Sequence, residues 1–138
     1  MTTSDQHVIR VSAVVLRDAA GSVLTVRKRG THRFMLPGGK PEPGESPAQT
    51  AVREAAEEVG ATLDLEHLRE LGTYRAAAAN EAGQEVVGTV FEHPGVHAVA
   101  PAGEIEELRW LDPAGPLPDD LAPLLAEHVL PALARAAG

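Results

Sequence analysis

Glu54, Glu57 and Glu58 stand at positions i, i+3 and i+4 of the stretch REAAEEVG, residues 53–60. On a helix that spacing gathers three carboxylates on one face. Like charges so close repel, so such a face either stands in bulk water or closes around a cation. Acidic helix faces are commonly solvated surface. Two neighbouring features favour the other reading. The segment Pro37-Gly38-Gly39-Lys40 feeds the same helix and can offer backbone groups to a ligand. Glu45 precedes Arg53 by eight residues, which suits a bidentate carboxylate–guanidinium pair pinning the loop to the helix.

The elements that must position these groups are legible in part. Ala48, Ala51, Val52, Ala55 and Val59 make an apolar helical stripe opposite the glutamates. Ser46 is placed as N-cap, Pro47 as first helical residue and Gly60 as the stop. The alanines predict close approach to a sheet. Upstream, residues 8–17 and 22–29 read as two strands of a hairpin turning at residues 18–21. Residues 34–36 read as a short extended piece, and Pro37-Gly38-Gly39 breaks regular structure. Downstream, residues 68–79 and 85–93 read as strands joined by a turn at 80–83, although the alanine run 76–79 has helical preference. Short strands are expected at 96–100 and 107–111. Pro118-Asp119-Asp120 is expected to cap a C-terminal helix with the stripe Leu121, Leu125, Val129 and Leu133, kinked or shortened by Pro131. The reading is an α/β (α+β) architecture, a mixed sheet covered on both faces by helices, in one domain over residues 1–138.

Composition narrows the chemistry. The formal net charge of −8 opposes a nucleic-acid grip through a basic surface, so a polyanionic ligand needs a bridging cation or a local basic pocket. With zero cysteines there are no disulfides, thiolate metal sites or cysteine nucleophile. No apolar run has the length of a signal peptide core or a membrane span, so the expected location is the cytoplasm, with no membrane partner.

Gly39, Glu45, Arg53, Glu54, Glu57, Glu58 and Gly60 fall at the spacings of the Nudix box, G-x5-E-x7-R-E-U-x-E-E-x-G-U with U a bulky aliphatic. The chain from Gly39 to Ala61 therefore resembles the Nudix hydrolase family, as does the entry Leu36-Pro37-Gly38-Gly39. Ala55 and Ala61 occupy the U positions and are smaller than the family's usual residues. The resemblance implies an α/β/α sandwich with a catalytic helix and a C-terminal helix. It implies Mg²⁺- or Mn²⁺-dependent hydrolysis of a diphosphate linkage in a nucleoside triphosphate or a nucleoside-diphosphate-linked substrate. Hard cations take oxygen ligands, which neutralises the apparent conflict between an acidic protein and an anionic substrate.

Carried over by residue, the resemblance makes Glu57 and Glu58 metal ligands, Glu54 a ligand or general base, and the Gly39 carbonyl a backbone ligand. Glu57 also belongs to the catalytic set. Glu45 and Arg53 brace the loop. Many family members take the base from a later loop, where Glu104 is the candidate here and Glu107 the second. Arg27 and Arg29, sharing a strand face, and Lys40 are candidates for phosphate oxygens. His93 and His97 lack metal-ligand spacing and read as loop; Phe34 and Trp110 read as core rather than base-stacking. The partner is a small nucleotide-type molecule, with a homodimer left open. The alternative is a nucleotide-sensing module without catalysis, which has no need of every carboxylate. The isomerase branch of the fold uses a cysteine, absent here. Neither a proline beyond the box nor Tyr74 selects among ADP-ribose, dinucleoside polyphosphate, nucleotide sugar and oxidised nucleotide substrates.

Overall fold

The computed structural model describes residues 8–79 and 82–137. Strand β1 (Val8–Val15) lies parallel to β5 (Glu85–Glu92), with Val8 opposite Glu85 and Val15 opposite Glu92. β4 (Arg69–Ala77) runs antiparallel along the other edge of β5. The two-residue β3 (Gly38–Gly39) pairs antiparallel with Ser12 and Ala13 of β1, giving a mixed sheet of order β3-β1-β5-β4. β2 (Val23–Lys28) and β6 (Ile105–Leu111) form a second, antiparallel pair. Helix α1 (Pro47–Val59) packs on β1, β3 and β5. A π-helical turn, Leu124–Val129, runs into α2 (Leu130–Ala137) and packs on β4 and β5.

Side-chain alternation divides the core between the two faces. Val14, Leu16 and Phe91 join Ala51, Ala55 and Val59 of α1 in one buried cluster. Ala13, Val15 and Val90 join Leu121, Leu125, Val129 and Leu133 in the other. The mixed sheet covered on both faces is therefore present. Among the described residues, no helix is long and apolar enough to cross a membrane.

Several local expectations are corrected. β1 and β2 do not continue as a hairpin. Their pairing is confined to the turn end: the Arg17–Val23 bridge, a Leu24 N–H bond to the Leu16 carbonyl at 2.9 Å and an Asp18 N–H bond to the Ser22 carbonyl at 3.0 Å. β3 and β5 occupy the edges of β1, so β2 departs to pair with β6. Residues 96–100 form no strand; the N–H groups of Ala100 and Ala102 instead bond the Val59 and Glu58 carbonyls at the end of α1, at 3.1 and 3.0 Å. Gly38 and Gly39, expected to be irregular, are strand-paired. β6 starts two residues before its expected beginning. Residues 118–120 do not cap the last helix; Asp120 receives two bonds from Arg109, at 2.6 and 3.0 Å. The wide turn before Pro131 sends the Leu130 N–H back to the Leu125 carbonyl, which accommodates a residue with no N–H of its own. Asn80 and Glu81, half of the expected β4–β5 turn, lie outside the described residues.

Candidate active site

The acidic helix is closed at both ends by its own sequence. Ser46 accepts from the Gln49 N–H at 3.1 Å, and the Gln49 side chain accepts from the Ser46 N–H at 2.9 Å, a reciprocal cap. Gly60 ends the helix at φ +71°, in the left-handed region that favours glycine. Burying Ala51, Ala55 and Val59 against the sheet turns Glu54, Glu57 and Glu58 toward the loop around Gly39.

That loop passes through a gap that admits no side chain. A Cβ on Gly38 would collide with the Ser12 carbonyl and lie 2.8 Å from the Ala13 Cα. A Cβ on Gly39 would collide with the Glu54 carboxylate. Arg53 ties the loop to the helix. Its Nε and Nη2 donate to the two oxygens of Glu45 at 2.7 and 3.0 Å, and Nη2 also donates to the Lys40 carbonyl at 3.0 Å. Its Nη1 reaches Glu54 at 3.1 Å and Glu57 at 3.2 Å. Glu45 further accepts from the Glu42 N–H and the Thr50 hydroxyl, at 2.9 and 2.8 Å. The Arg53 guanidinium, foremost, holds the Glu45 carboxyl down to about 2. Glu45 in turn holds Arg53 well above the ordinary guanidinium range.

Glu58 differs from its neighbours in being buried, at 7% exposure. One of its oxygens accepts from the Gly38 N–H at 3.1 Å. Burial pushes its carboxyl up to about 8, with Glu54 adding to the rise and the Gly38 bond and Lys28 opposing it.

These groups line a cleft of about 580 Å³. Gly39, Lys40, Glu54, Glu57, Glu58 and Glu104 all lie on it. Glu104 is held at the start of β6 by its carbonyl, which accepts from the Arg29 N–H at 2.8 Å. Arg27 and Arg29 are outside the lining. Arg27 pairs with Glu107 across β2 and β6 at 3.1 Å, and Arg29 with Glu106 at 3.2 Å. Lys28, between them in sequence, lies on the cleft together with Lys40 and Arg53. A bulge between Arg27 and Lys28 breaks the strand's regular alternation there, so spacing in the sequence does not single Lys28 out. Phe34 is core at 4% exposure, whereas Trp110, read as core, is 38% exposed. His93 is buried, accepting at Nε2 from the Asp64 N–H at 3.0 Å.

The available donors are hard oxygens suited to a divalent cation. They are not preassembled: among the described residues, no three acidic or histidine side chains converge as a ready metal site. Arg53 engages Glu54 and Glu57, and Gly38 engages Glu58. The carboxylates thus have partners that an arriving cation must compete with.

Comparison with known proteins bears on the family and the fold. The family model described as NUDIX domain matches residues 6–133. A Bacillus subtilis (strain 168) protein, named as a candidate 8-oxo-dGTP diphosphatase, is 30% identical over 110 residues, covering 80% of this chain and 70% of that protein. An RNA pyrophosphohydrolase of Proteus mirabilis (strain HI4320) is 45% identical over 47 residues, 34% of this chain and only 27% of that protein. The fold superposes on a MutT protein from Methanosarcina mazei Go1 with TM-score 0.73 at 23% identity, covering 93% and 91% of the two chains. A MutT NUDIX hydrolase from Burkholderia pseudomallei gives 0.68 at 22%, covering 92% and 96%. With Gly39, Arg53, Glu54, Glu57 and Glu58 of the box on one cleft and the family match running nearly end to end, the chain belongs to the NUDIX domain family and is a Nudix pyrophosphohydrolase.

Proposed function

We propose that this enzyme hydrolyses a diphosphate linkage in a nucleoside triphosphate or nucleoside-diphosphate-linked substrate, with Mg²⁺ or Mn²⁺, on a single domain. The observation that carries the proposal is the buried Glu58 facing Glu54 beneath Gly39 on the cleft. Burial favours the protonated form of Glu58, and a divalent cation can replace that proton. Glu54, Glu57, Glu58 and the Gly39 carbonyl would hold the ion. When bound, it would neutralise the diphosphate, polarise the attacked phosphorus and make water a better nucleophile.

The chain's own residues do the remainder. Lys28 and Lys40 attract phosphate oxygens, replacing the role first considered for Arg27 and Arg29. Arg53 fixes Glu54 and Glu57 while its bond to Lys40 sets the loop opposite them. A carboxylate accepts the proton as water attacks phosphorus and the bridging P–O bond breaks. Glu104, on a separate loop across the cleft, and Glu54 are the candidates for that base. The names of the Bacillus and Proteus relatives support nucleotide chemistry as the setting.

Purified protein incubated with Mg²⁺ or Mn²⁺ and a panel of nucleotide derivatives tests this directly. Product release should occur for some member of the panel. Glu57→Gln and Glu58→Gln should each lower kcat by ~10²-fold or more, and Glu104→Gln should lower it in the ~10²–10⁴ range of a general base if it acts as one. Full activity in both Glu57→Gln and Glu58→Gln would overturn the assignment.

A further inference from the structure

Ser12, Thr25, Thr50, Glu58 and His93 are the buried polar residues among the described ones. All but Ser12 have side-chain hydrogen bonds. Thr25 donates to the Arg109 carbonyl at 2.6 Å, and Thr50 to Glu45 at 2.8 Å. Glu58 accepts from the Gly38 N–H, and His93 from the Asp64 N–H. Ser12, at 3% exposure, makes no side-chain hydrogen bond among the described residues. A buried hydroxyl left unpaired opposes folding, so its presence calls for a physical reason. Its Oγ is not sealed in. Among the described residues, the wholly enclosed side-chain atom without a partner is Arg109 Nε. The Ser12 hydroxyl is therefore reachable, and the catalytic cleft, which Ser12 lines, is where it is reached.

Strand alternation puts Ser12 on the α1 face of the sheet, with Val14 and Leu16. Ser12 stands opposite Gly39 across β1 and β3, so both residues address that face, with Cβ positions about 4.5–5.5 Å apart. The space into which a Gly39 Cβ would project is filled by the Glu54 carboxylate. Ser12 therefore adjoins that carboxylate. On its other side Ser12 stands opposite Thr89 of β5, and Thr89 opposite Thr73 of β4. The Thr89 and Thr73 hydroxyls engage each other at 3.4 Å, which leaves the Glu54 side as the direction in which Ser12 finds an acceptor. Glu54 itself takes Arg53 Nη1 at 3.1 Å. A divalent cation on Glu54 opposes a guanidinium on the same carboxylate but not a neutral hydroxyl. Carboxylates that ligate metal ions are themselves held by hydrogen bonds.

We propose that Ser12 is a positioning residue for the loaded site: its hydroxyl donates to the Glu54 carboxylate once a divalent cation is held there, and keeps that carboxylate in place as a ligand. The inference rests on the metal-dependent hydrolase reading and adds to it a residue outside the box. Calorimetric titration with Mn²⁺ tests it on wild type, Ser12→Ala and Ser12→Thr, beside thermal melts of the metal-free proteins in chelator. Ser12→Ala should weaken Mn²⁺ binding by about tenfold or more, as losing a hydrogen bond to a metal ligand does. Its metal-free melting temperature should equal or exceed that of wild type, because an unpaired buried hydroxyl has been removed. Ser12→Thr, which keeps the hydroxyl, should bind Mn²⁺ within about threefold of wild type. Mn²⁺ affinity in Ser12→Ala within about twofold of wild type overturns the inference and spares the hydrolase reading. A lowered metal-free melting temperature in Ser12→Ala would make the hydroxyl structural and overturn it too. Wild type that binds Mn²⁺ no better than Glu58→Gln would remove the metal site itself, and the inference with it.

Discussion

Adjacent glycines at 38 and 39 make different demands, and the difference is chemical. A methyl at Gly38 would meet backbone, the Ser12 carbonyl and the Ala13 Cα, neither of which can yield without moving β1. A methyl at Gly39 would meet the end of the Glu54 side chain, which can swing away. Gly38→Ala should therefore cost about 1–3 kcal/mol of stability, as other forced overpacking does. Gly39→Ala should retain most of its stability but lose at least about tenfold in kcat/KM, because it displaces a carboxylate from the cleft. Paired thermal melts and initial rates distinguish the two outcomes. A Gly39→Ala protein that melts early and keeps wild-type kcat/KM would reverse the assignment. The residue types of the box were legible in the sequence because fixed spacing reports local geometry. Lys28 was not picked out, because choosing among Arg27, Lys28 and Arg29 requires knowing which face of β2 meets the cleft.

The loop from Gly39 to Ser46 and helix α1 behave as one element because Glu45 and Arg53 join them. Glu45 ionises far below an ordinary carboxyl, chiefly through its bonds to Arg53. A depressed carboxyl contributes stability that is fully present above its unfolded value, near 4.5. That contribution is lost as pH falls through the folded value of about 2. The wild type should therefore lose stability between about pH 4.5 and pH 2, and Glu45→Gln should show a shallower loss over that interval. Denaturant melts across that range measure it, and parallel slopes for the two proteins would remove Glu45 from the acid response. Arg53→Lys keeps the charge but not the two-pronged geometry, so it should lower kcat/KM by about tenfold or more with a smaller effect on melting. The pair was legible from eight-residue spacing across a proline-rich loop. Residues 96–100 were not, because their β-branched and alanine content resembles a strand while the Ala100 N–H serves the end of α1.

At the scale of the molecule, one sheet carries two unlike cores, and the one beneath α1 sets the spacing of the carboxylates. The partner of β1 is β5, more than seventy residues away, so local patterning could suggest a β1–β2 hairpin but could not reveal the parallel pairing that displaces it. On the α1 side, Ala51 and Ala55 are fully buried, and their small size lets the helix lie close enough for Glu54 to touch the ground beside Gly39. On the other side, Leu130 is equally buried but lies outside the catalytic cleft. Ala55→Leu adds volume where there is none, at about 1–3 kcal/mol, and should push α1 and its carboxylates away from the loop. Leu130→Ala removes volume at roughly 2–5 kcal/mol without touching that spacing. Assayed well below both melting points, Ala55→Leu should lose kcat/KM by at least about tenfold while Leu130→Ala stays within about twofold of wild type. The larger activity loss thus accompanies the smaller stability loss, an order that a general dependence of activity on stability would invert. If activity instead tracks melting temperature across the two variants, the spacing of α1 from the sheet does not control the site.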